Sequence, residues 1–153
     1  MTGYSIRRMK ESELCIALDL AKKEGWNPGL EDAICFYQAD PHGFFIGLLD
    51  NEPIAVGSAV VYNDNFAFCG LYIVKQEYRQ HGYGLELTKK RLKYTGNRIT
   101  GIDGVLENVS KYERLGYVSS HKQIRYEWNG KYSFSSTQNV LDLRTTAFSQ
   151  LED

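Results

Sequence analysis

The first half of the chain switches between two hydrophobic periods. Apolar residues three and four positions apart predict two amphipathic helices, one over Glu11–Glu24 and a second from Leu30 to about Asp40. Apolar and β-branched residues dominate four stretches that we predict as strands: Tyr4–Met9, Gly43–Leu49, Ile54–Tyr62 and Phe66–Val74. Turn residues separate the last three, and Gly57 is the candidate for a bulge. The expected order is one strand, two helices and an antiparallel meander.

In the second half, the pattern predicts alternating helices and strands. A helix follows a glycine-containing loop and ends near Gly96, a short strand covers Arg98–Ile102, and a helix over Glu107–Leu115 is closed by Gly116. Tyr117 begins a predicted strand, and the pair at 129–130 predicts a hairpin. A serine-rich linker then precedes a short helix, whose apolar stripe is formed by Val140, Leu143, Ala147, Phe148 and Leu151.

The glycine-containing loop, Arg79–Gly84, is the most informative stretch. It lies between a predicted strand and a predicted helix, whose first N–H groups have no internal acceptor and carry the positive end of the helix dipole. Glycines let a phosphate approach such a helix start, so we expect a side chain at Gly82 or Gly84 to block the phosphate or force an unsuitable backbone. We expect Gly84→Val to abolish binding of the phosphorylated ligand and to leave the fold intact. Gly84 is followed by Leu-Glu, which excludes a P-loop. The absence of a third glycine argues against a dinucleotide fingerprint.

Composition and charge narrow the choice of partner. The chain has 153 residues, 42% of them hydrophobic and 24% charged, with a formal net charge of −1. This is the balance of one globular domain, and it provides no basic field for nucleic acid or an anionic membrane. No apolar run reaches the length of a membrane helix, and the N-terminus has no signal-peptide core. We therefore expect a cytoplasmic protein without a nucleic-acid or membrane partner.

The cysteines and histidines predict neither crosslinks nor a metal site. Cys15, Cys35 and Cys69 are odd in number and widely spaced, which fits neither a disulfide framework nor a metal-binding knuckle. We expect buried free thiols in a reducing compartment. The three histidines share no ligand spacing, so no metal is expected.

Two segments carry a resemblance to a known family. Val74–Gly84 resembles the acetyl-CoA-binding motif of the GNAT superfamily of N-acetyltransferases, Arg/Gln-x-x-Gly-x-Gly/Ala after a strand that ends in valine, and Tyr112–Tyr117 resembles a second family segment. The resemblance implies an α/β (α+β), GNAT-like acyl-CoA N-acyltransferase fold, with a central mixed, mostly antiparallel sheet flanked by helices. It implies a GNAT domain over residues 1–130.

A narrower resemblance concerns the C-terminal end. Glu24–Gly29, Tyr72–Val74 and Gly101–Gly104 resemble a bacterial GNAT subfamily that often carries a second, GNAT-like C-terminal domain. Residues 131–153 are then a strand, a linker and a short helix, or the start of such a second domain.

The resemblance also implies roles for individual residues. The family's tyrosine donates a proton to the departing thiolate, a role that falls to Tyr112, and Glu24, Trp26 and Asn27 are expected near the acceptor substrate. Structural alternatives remain: a plain strand-to-helix turn for the loop, a solvated cation for Arg79, and core packing for Tyr112 and Trp26. The cofactor-binding residues expected here are Tyr72, Ile73, Val74, Arg79, Gln80, His81, Gly82, Tyr83, Gly84, Leu85 and Asn108.

The general base is not identified. The strand over 66–74 has no acid, so Glu24, Asp40, Asp64 or a water molecule are the candidates. A basic run on the helix after the loop predicts either a solvated face or a contact with the CoA 3′-phosphate. Its members are Lys89, Lys90, Arg91 and Lys93.

The resemblance implies an acetyl-CoA-dependent N-acetyltransferase that moves an acetyl group directly to a primary amine of a small molecule or peptide. The alternative is a non-catalytic CoA-binding or interaction module of the same fold. The missing strand acid favours the alternative, whereas Tyr112 favours the enzyme. The C-terminal apolar stripe must dock on its own domain, on a second subunit or on a further domain. We expect it to form a homodimer contact.

Overall fold

The computed structural model describes residues 3–29, 31–124, 126 and 130. The chain divides into two compact units, residues 1–117 and 118–153. The strands are β1 Tyr4–Arg8, β2 Phe44–Leu49, β3 Glu52–Val61, β4 Phe66–Val74 and β5 Ile99–Ile102. The helices are α1 Leu14–Lys23, α2 Asp32–Ala39, α3 Tyr83–Thr95 and α4 Val109–Glu113. Short 3₁₀ turns cover Glu11–Glu13, Gln76–Tyr78 and Leu106–Asn108. Within the described part of the chain, no helix combines the length and apolar character needed to cross a bilayer.

The strands form one sheet in the order β1-β2-β3-β4-β5. The first four are antiparallel neighbours, and β5 pairs with β4 in parallel. Parallel neighbours need a crossover connection, and α3 provides it. The predicted mixed, mostly antiparallel sheet flanked by helices is confirmed.

An apolar cluster covers each face of the sheet. Helices α1 and α2 supply Leu14, Ala17 and Ala33 to one cluster, which includes Phe44 and Ile46 of β2. Helix α3 supplies Leu87 to the other cluster, which includes Phe45 and Ile54. Because β2 and β3 are covered on both faces, their sequences are almost continuously apolar instead of alternating.

Strand β4 carries a bulge opposite Gly57. The register shifts there, so that Leu71 and Tyr72 of β4 face the single residue Gly57 of β3. Leu71 has a φ of 45°, which is uncommon for a residue other than glycine. In a regular strand, Cys69 and Leu71 would face the same side of the sheet. Here Cys69 packs on the α3 side, Leu71 on the α1 side and Tyr72 on the α3 side, so the extra residue reverses the alternation of side chains. The predicted irregularity is confirmed, although the extra residue lies in β4.

Two expectations are wrong. The described residues 117–124 form no strand, because a strand exists only where a neighbour pairs with it, and local alternation does not supply that neighbour. Cys15 and Cys35 are exposed, and Cys69 alone of the three cysteines is buried. The reason is that the sheet-facing positions of the two helices belong to other residues, such as Leu14 of α1 and Ala33 of α2. Most of the predicted hairpin, the linker and the C-terminal stripe lie outside the described residues.

Candidate active site

A cleft of about 620 Å³ opens where β4 and β5 part. Their pairing ends at Cys69 and Ile102, while β4 continues to Val74 and the chain after Ile102 leads to α4. The predicted residues that line the cleft are Glu24, Trp26, Tyr72, Ile73, Val74, Arg79, Gln80, Asn108 and Tyr112. Asn27 lies outside this lining, as do His81, Gly82, Tyr83, Gly84 and Leu85, which form the loop and the first turn of α3.

The loop before α3 presents a row of unused backbone donors. The N–H groups of residues 80–84 donate to no acceptor among the described residues, and the N–H groups of Leu85 and Glu86 donate to the Gly82 carbonyl at 3.0 and 3.2 Å. Gln80 and Gly82 have positive φ angles of 67° and 87°. Successive free N–H groups in such a turn form an anion-binding concavity, and the helix dipole adds to its attraction.

The two loop glycines, Gly82 and Gly84, differ in conformation and in the space around them. Gly82 precedes α3 in a left-handed conformation, and an added Cβ there would meet no atom within 4 Å. An added Cβ at Gly84 would come within 2.3 Å of the Tyr72 hydroxyl oxygen and 3.2 Å of Val74 Cγ2. A side chain at Gly84 would therefore disturb the packing of α3 on β4. The expectation that Gly84→Val leaves the fold intact stays a prediction, and it requires the Tyr72 side chain to shift.

Helix α1 ends in a cap that brings Trp26 to the cleft. Gly25 has a φ of 74°, and its N–H donates to the Lys22 carbonyl at 3.0 Å. The Trp26 N–H donates to the Ala21 carbonyl, also at 3.0 Å, which completes a Schellman motif. The turn places both Glu24 and Trp26 in the lining. Trp26 is 39% exposed, so the alternative prediction of core packing for this residue is wrong.

Arg79 is paired within the protein. Its guanidinium forms an ion pair with Glu24, and its Nε donates to the Val74 carbonyl at 2.8 Å. The pair ties the end of α1 to the loop before α3. Both side chains are partly exposed, so the pair adds less than about 1 kcal/mol to the free energy of unfolding. Its effect is to fix the position of Arg79, which is not the freely solvated cation of the alternative.

Tyr112 is held at the cleft by its neighbours. An added Cβ at Gly104 would come within 2.4 Å of Tyr112 Cε2, so the ring lies against the Gly104 backbone. The Tyr117 ring meets it edge-on, with centroids 6.4 Å apart. Burial raises the pKa of Tyr112 above 10.0, while a hydrogen bond with Asn108 and the charge of Arg91 act in the opposite direction. The phenol is therefore protonated at neutral pH and able to donate.

Two of the predicted base candidates lie away from the cleft. Asp40 is 7% exposed and accepts hydrogen bonds from the Tyr94 hydroxyl at 2.9 Å and the Val61 N–H at 2.8 Å. The Asp64 side chain is fully exposed, and neither carboxylate belongs to the lining. Asp40 and Asp64 are therefore not placed to accept a proton in the cleft.

The acids that do line the cleft differ from the prediction. Glu24 lines it, but its carboxylate is paired with Arg79. Asp103 and Glu107 also line it, and the sequence pattern did not single them out. Asp103 directly follows the predicted strand at 98–102, and Glu107 begins the predicted helix after it, which was the available signal. Among the described residues, no three His, Cys, Asp or Glu side chains are grouped so that they could hold a metal ion.

The basic run on α3 contains two kinds of residue. Lys89, Lys90 and Lys93 are exposed, as a solvated face predicts. Arg91 is only 5% exposed and lines the cleft. It follows the buried Leu87 by four positions, which places both on one helix face. The sequence therefore held a signal for the burial of Arg91, although a run of like charges concealed it.

Comparison with known proteins agrees with this architecture. The profile of the Acetyltransferase (GNAT) family matches residues 11–117. The holothin acyltransferase of Pseudoalteromonas sp. (strain SANK 73390) is 34% identical over 110 residues, which are 72% of this chain and 37% of that protein. The chain thus spans little more than a third of the length of this relative.

Solved structures share the fold. Ard1 from Thermoplasma volcanium matches with a TM-score of 0.67 at 16% identity, over 77% of this chain and 84% of its own. The aminoglycoside N-acetyltransferase AAC(6')-Iy, solved in complex with CoA, matches with a TM-score of 0.60 at 23% identity, over 85% of this chain and 97% of its own. With the profile match over most of its length and this fold around its cleft, the chain belongs to the acetyltransferase (GNAT) family.

Proposed function

We propose that this domain binds acetyl-CoA and transfers its acetyl group directly to a primary amine of a small molecule or peptide. The observation that carries the proposal is the row of N–H groups at residues 80–84 without a protein acceptor, at the start of α3. A diphosphate supplies the oxygens that such a row can bind. Family membership, and the CoA complex of a protein with the same fold, favour CoA as the carrier of that diphosphate.

The proposed cofactor contacts divide by type. The N–H groups of residues 80–84 face the diphosphate, while residues 72–74 of β4 and Asn108 line the cleft for the pantetheine arm. Glu24 and Trp26 are proposed for the acceptor side of the cleft. The remaining assignments of His81, Leu85 and Asn27 stay predictions from the sequence.

In the proposed reaction, the amine nitrogen attacks the thioester carbonyl carbon, and the C–S bond of the tetrahedral intermediate then breaks. The sulfur leaves with the bonding electrons and takes a proton from the Tyr112 hydroxyl. The attacking nitrogen loses its proton to water, and the Glu24 carboxylate stays paired with Arg79. Tyr112 regains a proton from solvent, which returns the site to its initial state.

The alternative, a non-catalytic CoA-binding module, needs the same loop but no proton donor. Tyr112 lies in the lining together with Asn108, and its ring lies against Gly104. A phenol held in this way at the cleft favours the enzyme.

The cellular compartment, the domain extent and the oligomeric contact are also proposals. Free cysteines, two of them exposed, fit a reducing compartment such as the cytoplasm. A GNAT domain over residues 1–130 and a homodimer contact made by the C-terminal stripe stay predictions, because that stripe lies outside the described residues.

Release of free CoA thiol from acetyl-CoA in the presence of an amine panel tests the proposal. The panel includes holothin, for which the 34% identical relative is named. We expect Tyr112→Phe to lower kcat by about 10²-fold, because the thiolate loses its proton donor, with little change in the KM for acetyl-CoA. Tyr62→Phe is the matched control, since Tyr62 is exposed and stacks on Phe66 outside the cleft. Tight CoA binding without thiol release on any amine would support the non-catalytic alternative, and full turnover by Tyr112→Phe would contradict proton donation.

A further inference from the structure

Arg91 is a buried cation without a paired carboxylate. Its side chain is 5% exposed, and it forms no ion pair with any described residue. Removing a charge from water is unfavourable, and an apolar side chain of similar size would avoid that cost. The presence of arginine at this position therefore needs an explanation other than packing.

Two backbone carbonyls take the place of a carboxylate. Arg91 Nε donates to the Ser58 carbonyl at 2.9 Å, and Nη2 makes a longer contact of 3.5 Å with the Gly70 carbonyl. Ser58 and Gly70 are register partners, and they form the last regular pair of β3 and β4 before the bulge. The guanidinium thus binds both strands at the point where β4 changes its alternation.

The bulge itself is fitted around the same side chain. Arg91 Cζ lies 5.1 Å from the ring centroid of Tyr72, the second residue of the bulge, in a cation–π contact. Gly57 lies opposite the bulge, and an added Cβ there would come within 2.9 Å of Arg91 Cδ. Arg91 therefore contacts three features of the bulge: the carbonyls that flank it, the ring of its second residue and the glycine opposite it.

We propose that Arg91 is a positioning residue, which holds the bulged segment of β4, and with it one wall of the cleft, in the shape needed for acetyl transfer. Its catalytic consequence rests on the proposed function. Lysine cannot replace it, because a compact ammonium group lacks the planar fork that reaches two carbonyls at once. Burial raises the pKa of Tyr112, and the charge of Arg91 acts against that rise.

The test compares Arg91→Met and Arg91→Lys with Arg98→Met. Arg98 is a matched control, because it too donates to two carbonyls, those of Asn63 at 2.8 Å and Thr95 at 3.1 Å, but lies outside the cleft. Amide hydrogen exchange over residues 70–73, kcat, and the calorimetric affinity for CoA are measured for each. We expect Arg91→Met to accelerate exchange over 70–73 and to lower kcat by about 10²-fold, with a smaller change in CoA affinity. Arg91→Lys should accelerate the same exchange, and Arg98→Met should alter neither the exchange over 70–73 nor kcat.

Unchanged exchange over 70–73 in a folded Arg91→Met protein would overturn the proposal, as would a kcat equal to that of the wild type. If Arg91→Met does not fold, Arg91→Lys keeps the charge and approximate length, and the same two measurements decide. If the wild type transfers no acetyl group to any amine, the proposed function fails, whereas hydrogen exchange still decides whether Arg91 holds the bulge.

Discussion

Two buried charges meet helix α3, and they are satisfied in different ways. Asp40 accepts hydrogen bonds from the N–H groups of His42 at 3.1 Å and Val61 at 2.8 Å, and from the Tyr94 hydroxyl of α3 at 2.9 Å. Arg91 lies three residues before Tyr94 on the same helix, yet its five N–H donors contact only two carbonyls within the described chain. Asp40 lies outside the cleft, whereas Arg91 lines it.

Asp40 is a charge that stabilises the fold, whereas Arg91 is a charge that serves a site. Both carboxylate oxygens of Asp40 are used within the protein, so its loss should lower stability alone. Arg91 has donors left over beside a cleft, so its loss should affect the reaction. Each charge also has a glycine that makes room for it, Gly43 beside Asp40 and Gly57 beside Arg91.

The largest effect is expected from Asp40→Ala. It leaves the N–H groups of His42 and Val61 and the Tyr94 hydroxyl without their acceptor, so the free energy of unfolding should fall by about 3 kcal/mol. Denaturant unfolding gives this value, and calorimetry should find unchanged CoA affinity for the folded protein. Asp64→Ala is the control, because that side chain is fully exposed. A loss of CoA affinity in folded Asp40→Ala would contradict a purely stabilising role for this carboxylate.

A pair of glycine variants tests whether the surroundings of the two buried charges differ. An added Cβ at Gly43 would come within 2.6 Å of the Ala59 carbonyl oxygen, a backbone atom, so Gly43→Ala should cost about 2 kcal/mol of unfolding free energy. At Gly57 the nearest atom belongs to the Arg91 side chain, which can shift. Gly57→Ala should therefore cost less stability but lower kcat. Equal effects of the two variants on both quantities would show that the sites do not differ as described.

The smallest effect concerns alkaline pH. Burial and the hydrogen bond to Asp40 raise the pKa of Tyr94 from 10.0 to about 12. Because the folded state favours the neutral phenol, this contribution to stability is complete below pH 10 and is lost as the pH rises to about 12. Tyr94→Phe should thus lose less stability over that range than the wild type, in denaturant unfolding at stepped pH. Tyr62→Phe, with its exposed ring, should follow the wild type, and an identical slope for Tyr94→Phe would refute the assignment.

Local signals explain what the sequence predicted well. The glycines that end α1 and α3, the turn residues between strands, and the apolar spacing of Leu14 and Ala17 all act over a few residues, so the elements and the loop before α3 followed from the sequence. Gly57 marked the place of the bulge for the same reason. The strand expected from Tyr117 failed because strand pairing depends on a partner that local alternation does not specify.

The details of the site depend on packing between distant residues. The pairing of Glu24 with Arg79 joins positions 55 apart in sequence, and no local pattern encodes it. The burial of Arg91 depends on a glycine in another strand, and the left-handed conformation of Gln80 runs against the preference of its residue type. The Tyr72 hydroxyl that lies against Gly84 belongs to β4, so the local glycine pattern did not reveal this contact.

The bulge in β4 determines how this strand is matched to the strands of related sequences. Because Gly57 faces both Leu71 and Tyr72, a strand without Leu71 would pair regularly with β3 and leave Tyr72, Ile73 and Val74 on their present faces. A regular strand matched to β4 without a gap would instead pair residues from opposite faces of the sheet on one side of the bulge. An alignment of related sequences therefore needs its gap at Leu71–Tyr72 wherever the relative has no bulge.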